Sequence, residues 1–230
     1  MNFGKNLQIL RKMKNMTQEE LADKMKISRQ TVSKWELGAV LPEIEKLVEL
    51  CDMFHCSVDQ LLRGTMDYSS EVYSNIRIVT VAPFRYISHT VISREPERDA
   101  ISHVKGWAEH LKIENPYMIG WDFPQVSQEQ RSVFHMRGYA AALVLDAEQD
   151  IGDMDAEIIS QDRQKYITIT LEERAGREFE IIPNAYKALL TYMSINGIKE
   201  KSDPEIISCY EHEYFDPEGT EFMDVFIAIE

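Results

Sequence analysis

Residues 16–38 constrain the fold more than any other part of the chain, because they encode two short helices with a very short connection. Thr17 and Glu20 stand three positions apart, which is the spacing of a capping box that opens the first helix. Ser28 is a natural N-cap for the second helix, and Gly38 is placed to end it. Two helices joined so closely predict a helix-turn-helix motif.

Apolar residues recur at helical spacing on both sides of this motif, as a small helical domain requires. Pro42 suits the first turn of a fourth helix, and Ser57 can cap a short fifth helix that ends at Gly64. We therefore predict an all-α helix-turn-helix domain over residues 1–64, followed by a polar linker over residues 65–75. The predicted inward-facing residues are Leu7, Leu10, Met13, Leu21, Ala22, Met25, Ile44, Leu47, Val48 and Cys51.

The second helix of the motif has a polar outer face, with Val32 and Trp35 on its supporting side. An arginine there can bind guanine through two hydrogen bonds, a glutamine can bind adenine, and a threonine methyl can touch thymine. Gln18, in the first turn of the preceding helix, can bind a phosphate together with that helix N-terminus. The alternative is that this face is only hydrated. The predicted DNA-contacting residues are Gln18, Ser28, Arg29, Gln30, Thr31, Ser33 and Lys34.

The formal net charge of −14 conflicts with DNA binding only if it is evenly distributed. Residues 1–40 carry eight Lys or Arg and four acidic residues, a net charge of +4, so residues 41–230 carry −18. Such asymmetry is typical of a nucleic-acid-binding module joined to an acidic domain with another task. The acidic part is expected to repel DNA.

Residues 3–64 resemble the Cro and phage-repressor (XRE) helix-turn-helix family over the whole five-helix module, from LRKMKNMTQEELADKM through ISRQTVSKWELG to CSVDQLLRG. The resemblance assigns base contact to Arg29, Gln30, Thr31 and Lys34 and phosphate contact to Gln18, with Ser33 a weaker candidate for either. Because one small motif covers only one half-site, we expect a homodimer on a palindromic double-stranded DNA operator.

Residues 76–230 change to strand patterns interrupted by two helices, which predicts an α+β domain with two similar halves around an antiparallel sheet. Residues 146–165 could not be assigned. The predicted helices cover residues 95–111 and 183–198, and the predicted strands lie within residues 76–92, 117–123, 138–146, 165–173, 177–182, 206–215 and 221–230.

A possible ligand site is indicated by Glu211 and Glu213, which share one face of a strand while His212 takes the other. Two carboxylates among many aromatic residues can bind a lipophilic cation by charge and cation–π attraction. The alternatives are an exposed acidic edge for the carboxylates and core packing for the rings. The predicted ligand-binding residues are Trp121, Phe123, Tyr139, Tyr186, Tyr192, Glu211 and Glu213.

This second domain also looks like the GyrI-like effector-binding domain of multidrug-sensing regulators. The similarity is best in IIPNAYKALLTYMSINGIKE and in EIISCYEHEYFDPEGTEFMDVFIAIE, and weaker in GWDFP. It implies a two-fold-repeated α+β fold with a cleft between the halves and a buried glutamate facing the cleft. The alignment leaves Glu211 or Glu213 as that glutamate, and we prefer Glu213.

The sequence thus predicts a ligand-responsive transcriptional regulator that is not an enzyme, with no catalytic residues, metal ligands or cofactor. A cytoplasmic protein without membrane association is expected, because no long apolar run and no apolar signal core are present. One alternative is a GyrI-like hydrolase of an electrophilic xenobiotic fused to a DNA-binding module. Another is an interaction module without a cleft.

Overall fold

The computed structural model describes residues 2–64, 75–172 and 178–230, which form two compact units. The first unit comprises Met1–Ile76 and Glu180–Lys199, and the second comprises Arg77–Phe179 and Glu200–Glu230. Apart from Asn75, the predicted linker 65–75 lies outside the described residues. The predicted domain limits stay a prediction.

The N-terminal residues of the first unit form five helices with the caps that the sequence predicts. Thr17 and Glu20 make a capping box, Ser28 accepts a hydrogen bond from the backbone N–H of Thr31, and Ser57 makes a second capping box. The helices are α1 (Phe3–Met13), α2 (Gln18–Met25), α3 (Arg29–Glu36), α4 (Ile44–Phe54) and α5 (Val58–Arg63).

The core of these helices contains most of the predicted inward-facing residues, but two predictions for α4 are wrong. Leu7, Leu10 and Leu21 are completely buried, whereas the side chains of Ile44 and Val48 are 80% and 47% exposed. Helical spacing showed that the apolar residues of α4 form a stripe. It identified Cys51 correctly, but it could not show that Leu50 and Phe54, rather than Ile44 and Val48, complete the buried side of α4.

A further helix, α8 (Glu178–Asn196), belongs to the first compact unit although it lies far along the chain. The Lys14 ammonium donates to the carbonyl of Ile195 at 2.6 Å and to that of Met53 at 3.3 Å. Asn196 donates to the carbonyl of Met13 at 3.3 Å. The C-terminal ends of α1, α4 and α8 therefore meet around one positive charge, which is the charge that helix C-termini favour.

The predicted strand at residues 177–182 is wrong over its described part, because residues 178–182 form the start of α8. A six-residue apolar run does not distinguish a short strand from a buried helical segment. Pro183, which suggested a helix start, lies inside the helix.

The second unit is built on an eight-stranded antiparallel sheet with the order β1-β6-β8-β7-β3-β4-β2-β5. The strand order reads the same from the other end when β1 to β4 are exchanged with β5 to β8. The sheet therefore has a pseudo-two-fold axis between β3 and β7. The predicted fold class, an α+β domain with two similar halves, is confirmed. The strands are β1 (Arg77–Val81), β2 (Phe84–Ser93), β3 (Met118–Asp122), β4 (Arg137–Leu145), β5 (Ile159–Gln161), β6 (Gln164–Glu172), β7 (Cys209–Phe215) and β8 (Glu221–Ala228).

Helix α6 (Pro96–His110) packs against β2 and β4 and covers one face of the first half of the sheet. Ala100, Val104 and Ala108 on the helix meet Ile87 and Leu143 on the strands in one buried cluster. A short helix, α7 (Gln128–Ser132), and strand β5 were not predicted. Residues 146–165, which were left unassigned from the sequence, contain β5 and the first two residues of β6.

Candidate functional site

Helix α3 presents a polar face whose residues differ in exposure. Arg29, Gln30 and Lys34 are exposed, while Thr31 and Ser33 are half-buried. Val32 is completely buried and Trp35 is 4% exposed, so these two residues fix the helix from behind. The arrangement brings the predicted base-contacting residues together on one surface.

Three of the predicted DNA contacts, Ser28, Thr31 and Gln18, already make side-chain hydrogen bonds within the unit. The hydroxyl of Ser28 lies 2.9 Å from that of Thr31, besides capping α3. The Gln18 amide donates to Glu36 at 2.8 Å, and Glu36 also accepts from Arg11 at 2.6 Å in an ion pair that is almost completely buried. Gln18 is thereby oriented from inside the motif, and its amide retains one further N–H.

The second unit contains a cleft of about 560 Å³ where β3 and β7 separate. These strands share a single residue pair, Gly120 with Glu211, so the sheet opens beside the pseudo-two-fold axis. Tyr139, Glu211 and Glu213 line the cleft. The structure therefore brings together three of the seven predicted ligand residues. Glu211 is half-buried and Glu213 is exposed.

Tyr139 is the most deeply placed polar residue of the cleft, at 7% exposure. Its hydroxyl donates to the Glu211 carboxylate at 3.2 Å. Burial, reinforced by the nearby negative charge of Glu211, raises the pKa of Tyr139 far above its usual range, so the phenol stays a hydrogen-bond donor. The ring occupies space over Gly120, where a Cβ atom would lie 2.6 Å from the Tyr139 Cζ atom.

A wall of three nearly parallel rings, formed by Tyr117, His212 and Tyr214, also lines the cleft. The His212 ring lies 3.9 Å from that of Tyr117 and 5.5 Å from that of Tyr214 between centroids. His212 Nδ1 donates to the carbonyl of Met118 at 2.8 Å. Burial lowers the pKa of His212, although this hydrogen bond and Asp224 oppose the shift. The imidazole is therefore neutral at neutral pH and adds no charge that would repel a cation.

These three wall residues were absent from the predicted ligand set. Strict alternation places His212 opposite Glu211, but the opening of the sheet lets side chains from both faces line the cleft. The cluster of aromatic and charged residues around His212 was a usable signal. The position of His212 relative to Tyr117 depends on the pairing of strands from the two halves, and this pairing cannot be predicted from neighbouring residues in the sequence.

The other predicted ligand residues lie elsewhere. Trp121 packs edge-on to Tyr86, with ring centroids 6.4 Å apart, in the aromatic cluster of the opposite sheet face. Phe123 follows β3 and pairs its backbone N–H with Gly138. Tyr186 and Tyr192 lie on α8, in the first compact unit. Their roles in ligand binding stay predictions.

Two features are absent from the described part of the chain. Among residues 2–64, 75–172 and 178–230, no group of three or more His, Cys, Asp or Glu side chains is arranged to hold a metal ion. No helix in these ranges combines the length and apolar character needed to cross a membrane.

Comparison with known proteins identifies relatives of the N-terminal residues. A family model described as a helix-turn-helix matches residues 7–61. The HTH-type transcriptional activator BcrR of Enterococcus faecalis is 44% identical over 64 residues, which are 28% of this chain and 31% of BcrR. The uncharacterized HTH-type transcriptional regulator YqaE of Bacillus subtilis is 37% identical over 62 residues, 27% of this chain and 53% of YqaE. This chain thus spans about a third and about half of these two relatives.

Among solved structures, the chain is similar to the EcmrR C-terminal domain, with a TM-score of 0.47 and 12% identity over 67% of this chain and 96% of that one. It is also similar to SAV2435 bound to tetraphenylphosphonium, with a TM-score of 0.43 and 12% identity over 67% of this chain and 93% of that one.

The cryptic phage CTXphi transcriptional repressor RstR of Vibrio cholerae serotype O1 is matched over a larger share of its own length. It is 33% identical over 78 residues, which are 34% of this chain and 70% of RstR. With the five capped helices of residues 3–63 and the family match over residues 7–61, the chain belongs to the helix-turn-helix family.

Proposed function

We propose that this protein is a transcriptional regulator that binds an operator through α3 and senses a small lipophilic cation in the cleft of its second unit. The observation that carries the proposal is the cleft itself. It combines Glu211, which accepts a hydrogen bond from the buried Tyr139, with a wall of stacked, uncharged rings. Carboxylates with aromatic surfaces attract cations that are also apolar.

DNA binding is supported by the exposed polar face of α3. Arg29 and Lys34 supply positive charge, while Gln30 supplies an amide that can bind an adenine edge. The exposed Glu19 lies 3.9 Å from Arg29, which is too loose an ion pair to hold the guanidinium away from a guanine.

Homodimerisation is supported by an apolar patch that we define as Leu37, Val40, Leu41, Ile44 and Val48. All five side chains are at least 47% exposed, and Leu37 and Ile44 are 80% exposed. Exposed apolar surface of this kind can mark interaction sites in soluble proteins. Because the patch begins where α3 ends, pairing two patches would place two α3 helices side by side for a palindromic operator.

Glu211 is our preferred cation-binding carboxylate, in place of the Glu213 favoured by alignment. Glu211 is the less exposed of the two, and Tyr139 fixes its position. A carboxylate in partly dehydrated surroundings attracts a cation more strongly than one in open water. Glu213 remains close enough to contribute charge at the cleft rim.

The proposal is tested with tetraphenylphosphonium as the probe cation and an operator selected from random duplexes. Calorimetry would measure cation binding, and fluorescence anisotropy would measure DNA affinity with and without the cation. We expect Glu211→Gln to weaken cation binding at least tenfold and to leave cation-free DNA binding unchanged. The matched control is Glu157→Gln, which changes an exposed glutamate outside the cleft.

The experiments test DNA binding and cation binding separately. Absence of any selected operator would overturn DNA regulation, whereas equal cation affinity of wild type and Glu211→Gln would overturn the assigned cleft. A cation changes DNA affinity only if it binds the DNA-competent and incompetent conformations differently. Unchanged DNA affinity at saturating cation would therefore reject its role as an effector.

We also propose that the cleft binds its ligand without converting it. The alternative hydrolase would use a cleft carboxylate as general base toward an electrophilic substrate. Multiple turnover of an activated ester that is abolished by Glu211→Gln would favour the hydrolase. Saturable binding without turnover is the expected result.

A further inference from the structure

A second cavity, of about 220 Å³, lies in the second unit apart from the acidic cleft. Its walls are formed by the turn after β1 and by strands β2, β3, β4 and β7. Aromatic and aliphatic side chains dominate the lining, notably Phe84, Ile119, Val144 and Tyr210. Since Ile119 and Tyr210 also belong to the buried cluster of one sheet face, the cavity is anchored in rigid core structure.

The carboxylates of the acidic cleft lie on the sheet face opposite to the second cavity. Ile119 and Tyr210 of the second cavity alternate along their strands with Gly120 and Glu211 of the acidic cleft. Neighbouring residues of a strand point to opposite faces. The side chains of Glu211 and Glu213 therefore do not face the second cavity. Only Tyr117 and Ile119 line both spaces.

The lining of the second cavity offers no counter-charge to a charged ligand. All eight lining residues, which run from Val81 to Tyr210, are apolar or aromatic, and the polar side-chain atoms among them are the hydroxyls of Tyr117 and Tyr210. A charged ligand would lose hydration there without gaining a counter-charge. A neutral ring, by contrast, would gain apolar and edge-to-face contacts with Phe84 and Tyr210.

We propose that this second cavity is a binding site for a small neutral aromatic molecule with one ring. An apolar cavity of about 150 Å³ in another protein accommodates benzene. The present cavity has room for a benzene ring with one short polar substituent. A terminal hydroxyl on such a ligand can bond to Tyr117 or Tyr210, so an aryl alcohol matches the site better than a pure hydrocarbon. The site is independent of whether the acidic cleft binds cations.

Benzyl alcohol and benzylammonium form a matched pair of probes, because they have nearly the same size and differ in charge. Methyl-labelled protein would be titrated with each compound and followed by NMR at the methyl groups of Ile119 and Val144. We expect benzyl alcohol to shift both signals saturably, with a dissociation constant in the millimolar range. Benzylammonium should shift the Val144 signal at least tenfold less at equal concentration; the Ile119 signal is not compared for this probe, because Ile119 also lines the acidic cleft.

Val144→Phe fills the cavity and should abolish the saturable shift at Ile119. Val133→Phe is the matched control, because Val133 is 63% exposed and remote from the lining. Glu211→Gln should leave benzyl alcohol binding unchanged. Circular dichroism melting would verify that each variant is folded.

The proposal is overturned if wild type shows no saturable shift, or if Val144→Phe binds benzyl alcohol as wild type does while folded. It is equally overturned if Glu211→Gln removes the binding, since the ligand would then occupy the acidic cleft. If Val144→Phe does not fold, Val144→Leu gives a smaller reduction of the cavity and should weaken the affinity at least threefold.

Discussion

At the scale of single residues, Tyr139 fits into the cleft because position 120 has no side chain. A Cβ at Gly120 would lie 2.6 Å from Cζ and 2.7 Å from Cε1 of Tyr139. We predict that Gly120→Ala displaces the ring, breaks its hydrogen bond to Glu211 and costs about 1–3 kcal/mol of unfolding free energy. Urea denaturation would measure the loss.

The control for this substitution is Gly106→Ala on α6, where an added Cβ meets no atom within 4 Å. That change should leave stability unchanged or raise it by about 0.5–1 kcal/mol, since alanine favours helix. Replacing Tyr139 by Leu in the Gly120→Ala background should restore part of the stability. Equal stability of Gly120→Ala and wild type would show that the ring is not confined as described.

We predict that His212 makes the proposed cation binding dependent on pH. Its pKa is lowered by burial, so at neutral pH the imidazole stacked on Tyr117 is neutral. As pH falls through this lowered pKa, a positive charge develops in the cleft wall, and we predict that affinity for tetraphenylphosphonium falls. Calorimetry at about pH 7.5 and about pH 5.5 would measure the change. His212→Asn retains a donor for the Met118 carbonyl and should remove most of the pH dependence.

The same shift has a consequence for folding. A histidine whose pKa is lower in the folded state binds fewer protons there than in the unfolded chain. Stability is therefore full above the unfolded pKa of about 6.5 and declines as pH falls below it. Because Asp224 acts in the opposite direction on His212, removing that carboxylate should lower the histidine pKa further.

The types of residue that line the cleft could be predicted from the sequence better than the individual residues. Glu211 and Glu213 were paired on one strand face by alternation alone, and Tyr139 was selected as a candidate ring. Trp121 was included although it alternates with Gly120 and so faces the other side of the sheet. Local alternation relates neighbours on one strand, but it does not say which face opens into a cleft.

At the scale of secondary-structure elements, the proposed recognition of DNA depends on α3. We predict that Arg29→Ala weakens operator binding by about 1–3 kcal/mol and relaxes discrimination at one base pair. Anisotropy titrations with the selected operator and with single-base variants would measure both effects. Arg63→Ala on α5, which removes another exposed arginine charge outside α3, is the control. If Arg29→Ala discriminates between operator base pairs as well as wild type does, Arg29 does not contact the bases.

The junction of α1, α4 and α8 depends on the Lys14 ammonium, which bonds to carbonyls of Met53 and Ile195. We predict that Lys14→Ala lowers the unfolding free energy by about 1–2 kcal/mol, because charged hydrogen bonds to helix ends are lost. Lys12→Ala removes an exposed charge from the same helix and should have little effect. Chemical denaturation followed by circular dichroism would separate the two variants.

Elements with caps were predictable from sequence, whereas elements defined by distant contacts were not. Thr17, Ser28 and Ser57 mark helix starts through local hydrogen bonds, and each was identified from its neighbours in the chain. The start of α8 lacks such a signal and was predicted as a strand. Strand β5 has three residues and depends on its pairing with β2, which lies more than sixty positions earlier.

At the scale of the whole molecule, the two-fold repeat explains why a cleft can form at the middle of the sheet. β3 and β7 are equivalent strands that face each other across the pseudo-axis, and they share only one residue pair. This pair consists of Gly120 on β3 and Glu211 on β7. Equivalent positions of the two halves thus carry a glycine and a glutamate. The sequence predicted two similar halves, but the asymmetry at their contact appears only in the folded sheet.

Self-association through the apolar patch is the remaining prediction at this scale. Ile44 and Val48 belong to the apolar side of α4, yet they are exposed. The apolar surface of this helix therefore extends beyond the part that the core buries. We predict that Ile44→Glu converts a dimer into a monomer, which sedimentation velocity would detect, and lowers affinity for a palindromic operator at least tenfold. Affinity for a single half-site should change little, because α3 is untouched.

Val58→Glu introduces the same charge at a 40% exposed valine outside the patch, and it should remain dimeric. If wild type is already monomeric at micromolar concentration with operator bound, the patch does not serve dimerisation. If Ile44→Glu loses half-site binding as well, its effect comes from a damaged fold, and the milder Ile44→Ser would be compared instead. A dimer unaffected by either substitution would place the interface elsewhere, because two carboxylates cannot be buried against each other without loss of affinity.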